Sequence, residues 1–494
     1  MIAKPHIDWF ALSPVLALLA ASGLLLMVAV FVGRRPRKAV STFICFAGFV
    51  ASFIFAVFLD VKSAHGATIV HDSMFRDRWA ALAQVLIAGA GAVTVLISYS
   101  ERWRDEHVAE YFALLAAAAA GMSFFVSASN LMTLFLGLEW FSIALYVLSA
   151  IDIDLIGSLE AGLKYLIVGS VGSATLLFGS ALVYGETGQL SFDKIAAFGH
   201  PHDAMLVVGM AMIIVGLAFK SSSAPFHMWT PDAYQGAPTP VTAFMSSATK
   251  LAALVVTYRV LTTVFPHDQR LWTAAIAVIA IVSLAWGNIA ALVQRNVKRI
   301  LAYSSVSHAG FMLIAVAAAN ALGGRALLYY VIPYSAMSLG SFAVVAARER
   351  ELGVPVTLQN LAGFGWERPF LGVSMWVFML GFLGFPLTGG FIGKFYVFAA
   401  AYDRGWWWLI VAGVIATMIS AYYYLGIIRA MYFREGSELQ FTPGTAPAPA
   451  GGSPSRELLL SAGVAICLVV TVGSFFAVQP LIDVAHSAAS ALPF

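Results

Sequence analysis

Five ionisable side chains stand deep inside apolar stretches of this 494-residue sequence: Glu139, Lys220, Lys250, His308 and Lys394. An ionisable group in the middle of a membrane span costs about 2.5–3.5 kcal/mol on insertion scales, so such groups mark ion paths or buried pairs. Amines, imidazoles and carboxylates can each bind and release a proton. Together, the five residues predict a proton relay that runs along the membrane plane.

Lys220 and Glu139 are expected to work as a pair within this relay. A nearby carboxylate favours the protonated form of an amine, whereas burial in apolar surroundings disfavours it. If Glu139 approaches Lys220, the amine holds its proton. If the two side chains separate, the amine becomes a weaker base and releases it. Lys250 and Lys394 would then serve as further proton carriers.

Other ionisable residues leave more than one interpretation open. Glu160 and Lys164 stand four residues apart at a shallower depth, a spacing that favours an ion pair on one helix face. They are either a local salt bridge near the interface or part of the relay. His308 is either a relay member or a neutral histidine bonded to a neighbouring serine or carbonyl. Arg259 and Arg429, near the ends of spans, are predicted to be interfacial anchors.

The elements that position these side chains must be membrane helices. The chain is 60% hydrophobic and 11% charged, whereas a soluble domain carries about 25% charged residues. So few charges cannot cover a surface that faces water, which predicts an integral membrane protein within the lipid bilayer. The small net charge of +3 argues against nucleic-acid binding.

A membrane-spanning helix needs about 20 apolar residues, and the sequence predicts an all-α polytopic fold of about fourteen spans. Spans 7 and 12 are predicted to be broken, at Pro225 and at the stretch GFPLTGGFIGK (384–394), because proline removes a backbone donor and clashes with the preceding turn. The predicted spans are 10–33, 39–60, 79–99, 108–126, 129–150, 158–185, 204–234, 238–265, 270–293, 297–319, 324–347, 368–402, 405–433 and 456–478.

The spacing of the buried charges predicts an internal repeat. Glu139 and His308 are 169 residues apart, and Lys220 and Lys394 are 174 residues apart. Span 7 thus corresponds to span 12, and an offset of five spans reverses direction in the membrane. Inverted repeats of this kind are typical of transporters. The predicted division is spans 1–3 (1–105), a first repeat of spans 4–8 (106–265), a second of spans 9–13 (266–435), and a Pro/Gly-rich loop with span 14 (436–494).

The short loops predict the orientation of the chain. The stretches RRPRK (34–38) and QRNVKR (294–299) both lie in odd-numbered loops. Basic residues concentrate in cytoplasmic loops, so the odd-numbered loops are expected to be cytoplasmic and both termini periplasmic. The Pro/Gly-rich stretch 442–455 is expected to be a flexible loop.

Several other motifs point away from cofactor chemistry. Cys45 and Cys467 are far apart in apolar runs, whereas a disulfide, an Fe–S cluster or a zinc site needs more thiols at closer spacing. The stretch GSVGSATLLFGS (169–180) follows no strand, so it favours close helix packing over nucleotide binding. His227 has no second ligand nearby, which argues against a metal site.

Several stretches resemble a known family: GLEWFSIALYVLSA (137–150), EAGLKYLIVGS (160–170), GLAFKSSSAPFHMWTPDAYQGAPTPVTAF (216–244), GNIAALVQRNVKRILAYSSVSHAGFML (287–313) and GFPLTGGFIGKFYVF (384–398). They are similar to subunit N of bacterial NADH–quinone oxidoreductase, one of the three large antiporter-like subunits of respiratory complex I. The resemblance runs from about residue 100 to 435. TPDAYQGAPTP (230–240) is similar to subunit N rather than to its paralogues L and M, and Lys394 differs from the glutamate of subunit M.

The resemblance implies a proton-translocating subunit of the bacterial inner membrane that carries no redox cofactor of its own. Flavin and Fe–S clusters would lie in partner subunits of a peripheral arm, and the subunit would act with other membrane and peripheral subunits of a complex that uses quinone. By match of motif, the resemblance assigns proton transfer to Glu139, Lys220, Lys250 and Lys394, and it places Glu160, Lys164 and His308 on family positions.

Two other classes of function stay open at this point. Subunits of Mrp-type cation/proton antiporters and of membrane-bound hydrogenases share the fold and the buried lysines, and co-purification with a flavin and Fe–S arm would distinguish them. The third class is a structural spacer that moves no ions. The cost of several mid-membrane charges argues against a spacer, because it would have no use for them.

Overall fold

A computed structural model of the chain describes residues 7–63, 66–101, 106–198, 203–433 and 454–492. The predicted loop at 442–455 lies outside these ranges except for its last two residues, with which a helix begins. The helices are α1 (Trp9–Phe31), α2 (Arg34–Lys62), α3 (Arg78–Tyr99), α4 (Val108–Val126), α5 (Leu131–Ser149), α6 (Ile156–Thr187), α7 (Phe192–Ala196), α8 (Ala204–Lys220), α9 (Trp229–Gly236), α10 (Thr239–Phe244), a π-helical turn (Met245–Thr249), α11 (Lys250–Val264), α12 (Gln269–Leu292), α13 (Val297–Ala318), α14 (Ala321–Leu352), α15 (Phe364–Glu367), α16 (Pro369–Leu383), α17 (Gly389–Asp403), α18 (Trp407–Phe433), α19 (Pro454–Phe476) and α20 (Val478–Ala489).

All fourteen predicted spans are present as helices. Within the described residues, twelve helical segments are long and apolar enough to cross a membrane, with α10, the π-turn and α11 counted as one. The shorter apolar helices α8 and α16 are the first halves of spans 7 and 12. The predicted all-α polytopic fold with two broken spans is therefore confirmed. The division into four segments remains a prediction.

The two breaks have a similar backbone. Span 7 is interrupted between Lys220 and Trp229, and span 12 between Leu383 and Gly389. Each break contains a non-glycine residue in the left-handed region, Ser222 with φ 60° in the first break and Leu387 with φ 73° in the second. That conformation costs about 1–3 kcal/mol and persists only where the surroundings impose it.

Side chains satisfy backbone groups that the first break sets free. The Trp229 indole donates a hydrogen bond to the carbonyl oxygen of Phe219 over 3.1 Å. The amide of Ala224 donates to Ser283 Oγ of α12 over 2.8 Å. Unsatisfied backbone groups are very costly at membrane depth, so a break is tolerated where such partners exist or where it lines a polar cavity.

Helix α14 occupies the centre of the bundle. It packs against α10, α13, α16, α17 and α19. The neighbouring segment of α10, the π-turn and α11 is buried along its whole length, whereas α1, α2 and α18 each expose one apolar face. The charged side chains Lys250 and His308, carried by α11 and α13, are therefore buried inside the bundle.

Helices α6 and α8 pack closely through glycines. A Cβ added to Gly179 would lie 2.7 Å from the carbonyl oxygen of Gly209, and a Cβ on Gly209 would lie 2.9 Å from that of Gly179. Any larger side chain at either position would push the two backbones apart. The predicted packing role of the stretch 169–180 is confirmed.

Several small elements were not predicted. A hairpin of β1 (Ala67–Ile69) and β2 (Met74–Arg76) joins α2 to α3, and the short helices α7 and α20 follow α6 and α19. Strands of three residues are too short to produce a recognisable alternation of apolar and polar residues.

Arg259 is buried, so its predicted role as an interfacial anchor is wrong. Its side chain is 1% exposed, and its Nη2 lies 2.6 and 2.7 Å from the two carboxylate oxygens of Asp77. Its Nη1 donates to the carbonyl oxygen of Val126 over 3.2 Å, and the guanidinium lies over the ring of Phe75. Arg429 is exposed, as an anchor should be.

We expect Asp77→Asn to lower the free energy of unfolding of the subunit by about 3–5 kcal/mol. The substitution leaves Arg259 as a buried charge without its partner. Asparagine preserves the hydrogen bond that Asp77 accepts from the Ala80 amide at the start of α3, so helix capping is not the variable. Thermal or denaturant unfolding of the detergent-solubilised protein measures the change.

The matched control is Asp8→Asn. Asp8 also caps a helix, through the Ala11 amide, and also pairs with an arginine, Arg76, over 2.8 Å. These two side chains are 20% and 27% exposed, so the loss should be at most about 1 kcal/mol. An equal effect of the two substitutions would contradict the importance of burial.

Candidate functional site

Lys220 is the last residue of α8, and its amine lies among aromatic rings. The Nζ atom is 5.3–5.7 Å from the ring centroids of Phe141, Tyr146, Tyr165 and Phe219. The residue is 1% exposed. Among the described residues, Nζ has no hydrogen-bond partner. Ring faces attract a cation by about 0.5–2 kcal/mol each, but they cannot accept its protons as oxygen atoms do.

Glu139 lies on α5, the helix that also supplies Phe141 and Tyr146 to the surroundings of Lys220. Its Oε1 atom is buried and likewise has no hydrogen-bond partner in the described part of the chain. No ion pair of 4 Å or less joins it to Lys220, both residues being described. The structure therefore places the predicted pair in one region, with the carboxylate and the amine apart.

Lys250 begins α11, directly after the π-helical turn. Its amine donates hydrogen bonds to both the carbonyl oxygen and the hydroxyl of Ser305 on α13. The Ser305 hydroxyl is 2.9 Å from the hydroxyl of Tyr334 on α14. Single π-turns within α-helices occur frequently at functional sites, and this one lies beside a buried amine.

His308 lies one turn beyond Ser305 on α13, between two tyrosines. Its Nδ1 is 2.8 Å from the hydroxyl of Tyr330, and its Nε2 is 3.0 Å from the hydroxyl of Tyr424. The Tyr424 hydroxyl is also hydrogen-bonded to Ser304. Both ring nitrogens thus have partners, which are tyrosine hydroxyls rather than the serine or backbone carbonyl of the alternative interpretation.

Lys394 lies on α17, just after the second break. Its Nζ donates to the carbonyl oxygen of Leu383, the last residue of α16, over 3.0 Å and to Thr417 over 3.3 Å. The amine also lies 4.4 Å from the ring centroid of Phe311 on α13. The break therefore supplies the carbonyl group that binds this lysine.

Three of the predicted residues belong to one buried polar series, the central row, made of Lys250, Ser305, Tyr334, His308 and Lys394. The Tyr334 and His308 rings are 5.3 Å apart, and the Phe311 ring lies 6.0 Å from the His308 ring and 4.4 Å from the Lys394 amine. Glu139 and Lys220 form a second region, on α5 and α8.

Tyr234 lies near both regions. Its hydroxyl is close to the side chain of Ser222, two residues beyond Lys220 in the first break, and to that of Ser305, which binds Lys250. Tyr234 is carried by α9, the second half of span 7. The break in span 7 thus brings polar groups from the Lys220 region to the central row.

Glu160 and Lys164 form the expected helical ion pair, with 2.7 Å between Oε1 and Nζ. Lys164 also binds Asp232 of α9 over 2.9 Å, and Asp232 binds Arg299 of α13 over 2.7 Å. These side chains are partly exposed, so each pair stabilises the fold by at most about 1 kcal/mol. The network ties α9 to its two neighbours, well apart from the central row.

The sequence did not reveal several residues of the site: Ser305, Tyr330, Tyr334, Tyr424, Tyr234 and Asp232. A tyrosine in an apolar helix has the sequence pattern of a packing residue. The one available signal was the four-residue spacing of Tyr330 and Tyr334, which places two hydroxyls on one face of α14.

Within the described ranges, no group of three or more His, Cys, Asp or Glu side chains could hold a metal ion. His227 packs against the rings of Trp286 and Tyr303. The expectation that the chain carries no cofactor remains a prediction.

Interrupted spans beside buried lysines, in a bundle of membrane helices, define the class of ion-transport membrane proteins. The family model described as "NADH:quinone oxidoreductase/Mrp antiporter, TM" matches residues 128–420. This range contains every residue of the central row and the Lys220 region.

Comparison with individual proteins identifies the family more specifically. NADH-quinone oxidoreductase subunit N of Granulibacter bethesdensis is 38% identical over 492 residues, which cover 98% of this chain and 99% of the relative. A chain of respiratory complex I from Thermus thermophilus is 30% identical with a TM-score of 0.77, and the match covers 95% of this chain and 99% of that one. The chain belongs to the NADH–quinone oxidoreductase subunit N family.

A chain of the Mrp complex from a Dietzia species has the same fold. Its TM-score is 0.85, and the match covers 98% of this chain and 97% of that one, at 21% identity. This likeness shows a shared architecture of antiporter-like membrane proteins.

We expect Lys220→Met and Lys250→Met to change stability differently. The first substitution removes a buried amine that makes no hydrogen bond to the described residues, so the free energy of unfolding should stay constant or rise. The second removes the bonds to Ser305, so it should fall by about 1.5–3 kcal/mol. Unfolding of the detergent-solubilised variants compares the two, and an equal loss would contradict this description of the Lys220 surroundings.

Proposed function

We propose that the chain is a proton-translocating subunit in the membrane arm of an NADH–quinone oxidoreductase. Its buried relay would move protons across the membrane, driven by NADH oxidation and quinone reduction in other subunits. Glu139, Lys220, Lys250, His308 and Lys394 are the proposed proton carriers. Glu160 and Lys164 are assigned to the network around Asp232, where they position α9.

The main support for a proton-translocating function is the arrangement of side chains in the central row. Lys250, Ser305 and Tyr334 are joined by hydrogen bonds, as are Ser304, Tyr424, His308 and Tyr330. Rings of Tyr334 and His308 bring the two series into contact. Groups that can both donate and accept are what a proton needs in order to move between buried amines.

His308 suits the middle of such a relay. A neutral imidazole donates from one ring nitrogen and accepts at the other. Here each nitrogen faces a tyrosine hydroxyl, Tyr330 or Tyr424. Accepting a proton at one nitrogen and releasing one from the other therefore moves a positive charge across the ring without rotating it.

Two phenylalanines lie beside His308 and Lys394. The ring of Phe311 is near both residues, and Phe382 of α16 has its centroid 5.0 Å from that of His308. Phe382 directly precedes Leu383, whose carbonyl oxygen binds Lys394. A shift of the second break would move both contacts together, so the break can control proton passage between these two residues.

The proposed function also implies a cellular location and partner subunits for this chain. The relatives are bacterial, which supports the inner membrane as the site of the chain, with odd-numbered loops in the cytoplasm and both termini in the periplasm. Other membrane and peripheral subunits of complex I would be its partners. Flavin and Fe–S clusters would be held by those partners, and none by this chain.

The Mrp-type antiporter and the membrane-bound hydrogenase are less well supported. The likeness to the Mrp complex is one of fold, whereas relatives named subunit N match almost the whole chain. A role as a structural spacer is also less well supported. Lys220 and Lys250 are 1% exposed, so their side chains do not form part of an external surface.

Lys250→Ala and Lys220→Ala are each expected to reduce NADH-driven proton translocation by about tenfold or more, because loss of a proton-transfer group typically has an effect of this size or larger. Acidification of the lumen of inverted membrane vesicles measures it, with the amount of assembled complex determined in parallel. The control is Lys194→Ala. Lys194 is an exposed lysine of α7 that lies beside Asp72 of the β1–β2 hairpin. Normal pumping by fully assembled Lys250→Ala complex would refute the proposed role.

Tyr334→Phe is expected to slow proton translocation while leaving assembly intact. The change removes only the hydroxyl that bonds Ser305, so it interrupts the central row between Lys250 and His308. Tyr329→Phe is the matched control on the same helix, since its hydroxyl donates to the carbonyl oxygen of Ser474 on α19, away from the row. Equal pumping by the two variants would count against the row as the path.

A further inference from the structure

A mixed cluster of charges lies at one end of the bundle, outside the relay. It forms where α3 and α14 end and where α10 and α13 begin. All of its members belong to odd-numbered loops or the adjoining helix ends, which is the predicted cytoplasmic side. They are Lys38, Glu101, Lys298, Glu349 and Arg350.

Glu349 is bound from two neighbouring elements. The hydroxyl of Thr239, the first residue of α10, donates a hydrogen bond to its carboxylate. The Lys298 amine lies 3.8 Å from the other carboxylate oxygen and also donates to Thr239 Oγ1 over 3.1 Å and to the carbonyl oxygen of Ala237 over 2.9 Å. The carboxylate is thereby fixed on the first turn of α10.

Glu101 follows the end of α3 and belongs to the same charge cluster as Glu349. Arg350 donates to the carbonyl oxygen of Ser100 over 3.1 Å, and Lys38 donates to that of Glu101 over 2.7 Å. Burial raises the pKa of Glu101 to about 7, with a further contribution from the repulsion of Glu349, although Arg350, Lys298 and Lys38 oppose the rise. A carboxyl group with a pKa in this range can both take up and release a proton near neutral pH.

A face of hydroxyl side chains leads from Glu349 towards Lys250. Thr239, Thr242, Ser246 and Thr249 follow at spacings of three, four and three residues, which keeps them on one side of the helical segment. Thr239 binds Glu349 at one end, and Ser338 of α14 donates to Ser246 over 2.6 Å further along. Lys250 is the residue after Thr249.

Thr249 provides an independent sign of a polar path. Its hydroxyl is buried, and among the described residues it has no hydrogen-bond partner. Buried hydroxyls of this kind commonly bind an internal water molecule. A water bonded to Thr249 would connect the hydroxyl face to Lys250.

The dimensions of the segment fit this path. Thr239 and Lys250 are eleven residues apart along one continuous helical segment, which corresponds to about 16 Å at the rise of an α-helix. The hydrocarbon core of a membrane is about 30 Å thick. The hydroxyl face therefore reaches from the membrane surface to the middle of the membrane, where Lys250 joins the central row.

We propose that the carboxyl groups of Glu101 and Glu349 take up protons from the cytoplasmic side and deliver them along Thr239, Thr242, Ser246 and Thr249 to Lys250. In each delivery an O–H bond at a carboxyl group breaks, an N–H bond at the Lys250 amine forms, and waters and hydroxyls pass the proton between them. The proposal rests on the proton-translocating function proposed above and adds the group that loads the relay.

Glu349→Gln tests the proposal in the assembled complex. Glutamine retains an oxygen that can accept from Thr239 but cannot carry the proton, so NADH-driven proton translocation in membrane vesicles should fall by about tenfold or more. The matched control is Glu351→Gln, two residues further on, because Glu351 binds Arg348 and Arg368 instead. Normal pumping by assembled Glu349→Gln complex, or an equal loss in both variants, would overturn the proposal.

The pH profile provides a second readout. Proton translocation should decline as the cytoplasmic pH rises through about 7, where Glu101 loses its proton, and Glu101→Gln should remove this inflection. An unchanged inflection in Glu101→Gln would exclude Glu101 as the loading group. A structural role alone would alter the amount of assembled complex rather than the shape of the profile.

Lys250→Ala, measured alongside, separates the two proposals. If Lys250→Ala abolishes pumping while Glu349→Gln does not, the relay stands and the uptake site is wrong. If neither variant changes pumping, the translocating function itself is wrong. If both lose pumping and Glu351→Gln does not, the cluster and the relay act in series.

Discussion

The structure depends on one constraint, which is that a polar group at membrane depth must find its partner inside the protein. Each broken span releases backbone carbonyls that a continuous helix would satisfy. In the first break the Trp229 indole binds the carbonyl oxygen of Phe219, and in the second the Lys394 amine binds that of Leu383. The breaks are therefore stable because side chains satisfy their backbone groups, and in the second break that side chain is Lys394, a member of the proposed relay.

This constraint is met differently for the two lysines of the repeat. Lys394 has oxygen partners, whereas Lys220 lies among four aromatic rings. Cation–ring attraction offsets only part of the cost of burying an ammonium group. The charge on Lys220 therefore depends more strongly on its electrostatic surroundings, and Glu139 of α5 is a buried carboxylate in the same region. The less satisfied lysine is the better candidate for a group that changes its protonation during turnover.

The sequence alone predicted the features that can be recognised from a short stretch of residues. The spans, the two breaks and the buried lysines all stand out because a charge or a proline in an apolar run is visible without knowing the fold. The partners of those charges are not visible in this way. Arg259 and Asp77 are 182 residues apart, so depth along one helix wrongly predicted an interfacial anchor. Tyr334 and Tyr424 join the site only through the packing of α13, α14 and α18, and the π-turn beside Lys250 has no recognised sequence pattern.

The interruptions of the polar series are as informative as its contacts. A hydrogen-bonded chain without gaps from one membrane surface to the other would let protons equilibrate, and no gradient could be maintained. Here no hydrogen bond joins His308 to Lys394 among the described residues, although Phe311 lies near both, and the Tyr234 hydroxyl lies near both Ser222 and Ser305. Tyr234 is carried by α9 in the first broken span, and Phe382, beside His308, is carried by α16 in the second. Both residues thus lie on the broken spans, so under the proposed function a small movement of either break would alter these contacts and with them proton passage.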